Sequence, residues 1–243
     1  MILDCSSIET TKKSLCEIFD TTEQKLLSVL ASVENHDNKN HGILEFEVDN
    51  AIFNEIGEPK EVIKTLWFHG TRVQDPNSFW TKGLLPRNEM YEELGNYLYS
   101  LSKNLERSGE SRYINSFATK NDLKDEGPYG ALFKCVITIG LSFHDYTEEP
   151  EIVRDLSDMW LGENGGQLIE RFKDETSPYV VSFLAEYREQ DLLKALLFLK
   201  LIEDGKSEHD ACMIVGPFNN FNGSKIHPNQ IVDVEEIIIA NLE

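Results

Sequence analysis

The rhythm of apolar and polar positions changes several times along this chain, and each change predicts an element. In residues 1 to about 35, "IETTKKSLCEIF" sets Ile8, Leu15, Ile18 and Phe19 along one helical stripe. Thr21 and Gln24 have the spacing of a capping box and open a second helix, "TTEQKLLSVLASVE". The polar, aperiodic "NHDNKNHG" that follows predicts a loop or linker.

From residue 43 onward the pattern predicts alternating strands and helices. "ILEFEV" alternates with period two, "VIKTLWF" has the density of a buried strand, and "EMYEELGNYLYSLSKNL" repeats its apolar residues at helical spacing. "YGALFKCVITIGL" predicts a long strand with both faces covered. "EPEIVRDLSDMWLG" predicts a helix with Pro150 in its first turn and Gly162 past its end. "GENGGQ", residues 162–167, predicts a turn. Then come a strand in "YVVSFLA", a helix in "EQDLLKALLFLKLIEDG", a strand in "ACMIVG" and a last strand within "IVDVEEIIIANL". The spacing between strands is too irregular for a uniform βαβ repeat, so the expected class is α+β.

Composition narrows the possibilities. The chain has 243 residues, 40% of them hydrophobic, which is enough for a full core. It carries 23 basic against 43 acidic residues, a net charge of −20. Such a field repels nucleic acid and anionic membrane, and no basic patch offsets it, so neither direct nucleic-acid binding nor membrane binding is expected. Cys5, Cys16, Cys135 and Cys212 are scattered without metal-site or disulfide-framework spacing, which predicts a reducing compartment. With no signal-like or membrane-spanning run, the expectation is a soluble cytoplasmic protein.

The sequence has no phosphate loop, dinucleotide fingerprint, nucleophile elbow or zinc-protease motif. What it does have is "TLWFHGTRVQDPNSFWTKGLLP", residues 65–86, where a buried strand is expected to end on His69-Gly70-Thr71-Arg72. An imidazole can exchange a hydrogen bond with a ribose hydroxyl. Gly70 lets a ligand approach the backbone, Thr71 adds a hydroxyl, and Arg72 can neutralise a pyrophosphate or close an ordinary salt bridge. His144-Asp145-Tyr146 and His209-Asp210-Ala211-Cys212 contain potential metal ligands but lack a partner pair, so no metal is expected.

The strand-"FHGT"-helix-"GLLP" order resembles the first motif of ADP-ribosyltransferase-like folds of the diphtheria-toxin and poly-ADP-ribose-polymerase type. That resemblance implies a split β-sheet with flanking helices and NAD as substrate. His69 would grip the adenosine-side ribose, the Gly70 backbone would hold the nicotinamide amide, and Thr71 would assist. It also implies a His–Tyr–Glu constellation. Tyr129, at a Gly-Pro turn entering a strand, matches the stacking tyrosine, with Tyr97 and Tyr99 as competitors in a helical pattern. Glu235 and Glu186 are both candidates for the glutamate that stabilises the oxocarbenium-like charge. Ser182 resembles the strand-end serine of the other branch of the superfamily.

The expected organisation is therefore an N-terminal helical extension, residues 1–40, and an ADP-ribosyltransferase-like α+β domain, residues 41–243. The expected function is ADP-ribosyl transfer to a macromolecular acceptor or NAD cleavage, in the setting of a toxin, phage protein or defence effector. The alternative is a non-enzymatic acidic protein, either a degenerate fold or a nucleic-acid mimic, that binds a basic partner.

Overall fold

A computed structural model describes residues 1–34, 41–61, 64–111, 126–138 and 146–238. In chain order the described elements begin with β1 (Ile2–Leu3), α1 (Ile8–Phe19), α2 (Glu23–Ser32), α3 (His41–Glu55), β2 (Lys64–Val73), α4 (Asn77–Lys82), α5 (Arg87–Leu101), β3 (Tyr129–Ala131) and α6 (Cys135–Thr138). They continue with α7 (Glu151–Leu161), α8 (Gly165–Asp174), β4 (Ser177–Glu186), α9 (Glu189–Glu203), α10 (Glu208–Val215), β5 (Phe218–Asn220) and β6 (Ile231–Glu236). The class is α+β, as expected. The sheet order is β5-β3-β2-β4-β6, with β1 parallel to β2, β3 antiparallel to β2, and β6 antiparallel to β4.

The chain forms two compact units, unit 1 from Met1–Phe68, Ala131–Ile139 and Leu184–Phe218, and unit 2 from His69–Gly130, Gly140–Phe183 and Asn219–Glu243. Of the predicted segments, residues 35–40, 62–63, 139–141, His144, Asp145 and 239–242 lie outside the described residues.

Unit 1 is organised by α9, whose "LLKALLFLKL" buries Leu192, Leu196, Phe198 and Leu199 together with intervening positions. A helix apolar on every side has to be enclosed, and α1, α2, α3 and α10 pack against it. The two predicted N-terminal helices are present. Ser7 caps α1 in a reciprocal box with Thr10. The cap of α2 is Thr22, one residue later than the sequence pattern placed it, and its hydroxyl accepts from the Lys25 amide.

Three strands expected here are replaced wholly or partly by helix. "ILEFEV" lies in α3, which buries Leu44, Val48 and Ile52 at four-residue spacing and leaves Ile43, Phe46 and Phe53 exposed. The alternation was real over only a few residues, because Glu45 and Glu47 happen to flank Phe46. "ACMIVG" lies in α10, started by Ser207, whose hydroxyl accepts from the Asp210 amide. The long strand expected after Tyr129 stops at Ala131. There the Leu132 amide turns to the Pro217 carbonyl and the Lys134 amide to the Cys5 carbonyl, and the Phe133 ring packs 4.3 Å from that of Phe198.

In unit 2, α5, α7 and α8 share a core of Leu98, Val153, Leu156, Leu161, Leu168 and Phe172. α7 follows Pro150 and ends at Gly162 with φ 60°, as the pattern predicted. The "GENGGQ" turn is shorter than expected, since Gly165 and Gly166 already open α8. A Cβ at Gly165 would lie 3.0 Å from the Asp158 amide nitrogen, so this glycine lets α8 start close against α7.

Candidate functional site

β2 does not end at His69. It continues through Gly70, Thr71 and Arg72 to Val73, with His69 and Thr71 on a half-buried face and Gly70 and Arg72 on the buried one. The register Phe68↔Ala131 sets β3 alongside this segment. His69 Nδ1 lies 2.7 Å from the Tyr129 carbonyl oxygen. A carbonyl only accepts, so Nδ1 carries the proton. Loss of solvent lowers the His69 pKa from its ordinary value, opposed by the Tyr129 carbonyl, and so favours the neutral ring. Nε2 is therefore an unprotonated acceptor, and among the described residues it has no hydrogen-bond partner.

Tyr129 is held at both ends. Its hydroxyl accepts from Asn220 Nδ2 at 3.1 Å, while the Phe221 and Gly223 amides donate to the carbonyls of Pro128 and Gly127 at 3.0 and 2.7 Å. Asn220 was missed from the sequence, and no local signal would have found it, because it lies 91 positions from its partner. The competitor tyrosines have packing roles. Tyr97 stands edge-on to Phe172 and Tyr99 edge-on to Trp160.

Arg72 turns inward from β2. Its guanidinium points into the protein, where Nε donates to Thr176 Oγ1 at 3.2 Å, Nη1 to the Thr147 carbonyl at 2.9 Å, and Nη2 to the Lys173 and Thr176 carbonyls at 3.0 and 2.7 Å. These contacts make Arg72 a clamp on main-chain carbonyls of unit 2.

Ser182 is buried in β4 opposite Asp233 of β6, and Glu235 stands opposite Val180. Ser182 marks a register shift in that pairing. β4 separates β2 from β6, so the strands that carry His69 and Glu235 are two strand spacings apart, about 10 Å. Glu235 is exposed. Glu186 is also exposed and lies in the stretch Leu184–Phe218, which belongs to unit 1, whereas His69, Tyr129, Ser182 and Glu235 all belong to unit 2.

Unit 1 holds a polar cluster that the sequence reading passed over. The Asp191 carboxylate is fully buried and accepts from Thr65 Oγ1 at 3.2 Å, from Arg188 Nη2 at 3.0 Å and from the Arg188 amide at 3.3 Å. The Arg188 guanidinium lies 5.1 Å above the Trp67 ring. The signal was "REQD", an acid three residues after a helix start. Burial pushes the Asp191 carboxyl up, against the downward pull of Arg188 and Thr65. A raised carboxyl means that the folded state holds its proton more tightly than the unfolded chain does. The contribution of Asp191 to stability is then largest below about pH 4 and falls as pH rises through the folded value. The stability of wild type minus that of Asp191→Asn, measured by urea unfolding, should therefore decline between pH 4 and pH 7. A difference that rises over this range contradicts the assignment.

Among the described residues no group of three His, Cys, Asp or Glu side chains is spaced to hold a metal ion, and no helix is long and apolar enough to cross a membrane. Comparison of the chain with protein-family models, with curated proteins and with solved structures returns no match.

Proposed function

We propose that unit 2 binds NAD or a related ADP-ribosyl compound beside His69 and Tyr129, where β2 runs next to β3, within an ADP-ribosyltransferase-like sheet, and breaks the nicotinamide glycosidic bond. The observation that carries this reading is the state of His69. Its ring is fixed by Tyr129, held neutral, and left with one acceptor nitrogen on a half-buried face shared with Thr71. That is the chemistry a ribose hydroxyl needs, a lone pair in a defined place.

The roles follow from position. His69 Nε2 accepts from the ribose, the Gly70 backbone pairs with the carboxamide, and Thr71 supplies a second hydroxyl. The Tyr129 ring, anchored through its hydroxyl by Asn220, offers a stacking surface. Glu235 stabilises positive charge at the anomeric carbon as nicotinamide leaves, and water or a macromolecular nucleophile takes the ADP-ribosyl group. Because Glu235 is exposed, its charge becomes effective only when the substrate or acceptor covers it. Such an activity suits a toxin, phage protein or defence effector.

The test is thermal unfolding with NAD alongside nicotinamide release. Saturating NAD should raise the melting temperature of wild type, by about 2.7 kcal/mol of linkage at a hundredfold excess over Kd, and His69→Ala should abolish the rise. Protonation converts Nε2 from acceptor to donor. The lowered His69 pKa therefore predicts NAD affinity that is flat above about pH 6.5 and falls in more acidic solution. No shift and no released nicotinamide would end the enzymatic reading.

One observation favours the second reading, an acidic protein that engages a cationic partner. α3 presents Ile43, Phe46 and Phe53 to solvent beside the exposed Asp49, in a chain of net charge −20. Binding of that kind weakens steeply with salt and is indifferent to NAD.

A further inference from the structure

All four cysteines, Cys5, Cys16, Cys135 and Cys212, belong to unit 1, on stretches that are partly far apart in sequence, and two of them meet. Cys135 Sγ lies 3.0 Å from Cys212 Sγ, across 77 positions of chain. Both are free thiols in the structure. Cys135 is half-buried at the start of α6, and Cys212 is fully buried within α10, which packs directly on α6. A disulfide requires the sulfurs to close by about 1 Å more. α6 is a single turn of four residues, so small adjustments there do not disturb a long helix.

We infer that Cys135 and Cys212 are a modification site, a dithiol that a hydroperoxide oxidises to an intramolecular disulfide. The two sulfurs are not equivalent. Once Cys135 ionises, the Cys212 thiol is placed to donate to it, and this contact lowers the Cys135 pKa despite burial and the nearby Glu208 charge. The same contact, with burial, pushes Cys212 up. Cys135 is thus the nucleophile, on the more accessible side, and Cys212 resolves.

In the first step the Cys135 thiolate attacks one peroxide oxygen. The O–O bond breaks, hydroxide leaves and is protonated to water, and Cys135 becomes a sulfenic acid. Cys212 sulfur then attacks Cys135 sulfur. The S–O bond breaks, and the Cys212 proton leaves with the hydroxyl as a second water. Two thiols and one hydrogen peroxide give one disulfide and two waters, and a small dithiol reverses the change. Cys5 is buried with its thiol pushed up, and it stays reduced.

The experiment uses the full chain. It is treated with one equivalent of hydrogen peroxide, alkylated, digested with trypsin and mapped by mass spectrometry. Cys135 and Cys212 fall in different tryptic peptides, residues 135–154 and 207–225, and neither contains Cys5 or Cys16. The expected result is loss of two of the four alkylatable thiols and a link between those two peptides, reversed by dithiothreitol. In Cys212→Ser the reaction should stall, with dimedone labelling Cys135. The inference fails if all four thiols remain alkylatable at tenfold peroxide, if Cys5 or Cys16 enters the bond, or if the link is between two chains. The wild-type map decides the matter even if a variant does not fold.

Discussion

Replacing Arg72 with alanine lowers stability by about 3–5 kcal/mol, seen as a fall of roughly 6–20 °C in melting temperature. The guanidinium is 9% exposed and makes four hydrogen bonds to Thr147, Lys173 and Thr176. Three of its acceptors are main-chain carbonyls, brought together from β4's approach, from the end of α8 and from the segment before α7. Truncation leaves those carbonyls to find new donors in a buried place, and a charge-assisted donor is among the costliest to lose. Arg72→Lys keeps the charge but supplies its donors from one point, so it cannot span the same acceptors and should recover less than half of the loss. A loss under 1 kcal/mol in differential scanning calorimetry would contradict the clamp.

The second large effect lies at Gly83, in the "GLLP" of the motif that first drew attention. Its φ of 77° and ψ of −158° fall in a region that side chains scarcely enter. A Cβ there would also stand 1.9 Å from the Ile226 carbonyl oxygen. That oxygen accepts from the Leu84 amide at 2.9 Å, and the Ile226 amide returns a bond to the Leu84 carbonyl at 3.1 Å. Gly83→Ala thus meets backbone strain of about 1–3 kcal/mol and breaks a reciprocal pair of hydrogen bonds. The expected total is about 3–5 kcal/mol, read by urea unfolding. Gly95, inside α5 with open space where its Cβ would be, is the control, and Gly95→Ala should be neutral or slightly stabilising.

The sequence carried the amphipathic helices well, because α1, α2, α5 and α7 each bury one stripe and expose another. It misled where apolar residues also lie outside the buried stripe, or where the run favours strand by residue type. α3 is apolar on two sides, so its four-residue spacing of Leu44, Val48 and Ile52 was masked by Ile43 and Phe46. In α10 the run Ala211–Val215 is rich in residues common in strands, and the deciding information sat in the Ser207 cap before it. Around the site, "FHGT" pointed to a strand with a polar grip, but the direction of each side chain depends on partners elsewhere. Arg72 turned inward because carbonyls about a hundred positions away needed donors. The tautomer of His69 was set by Tyr129, 60 positions on.

The division of the chain also limits what can happen to its gene. Unit 1 is assembled from three separated stretches, and unit 2 from the three that alternate with them, and four of the five crossings fall inside strands, in β2 after Phe68, in β3 before Ala131, in β4 after Phe183 and in β5 after Phe218. Neither unit corresponds to one continuous coding segment. Any deletion or fusion that moves a single segment therefore carries off a fraction of one unit or of both, and no single cut separates the two.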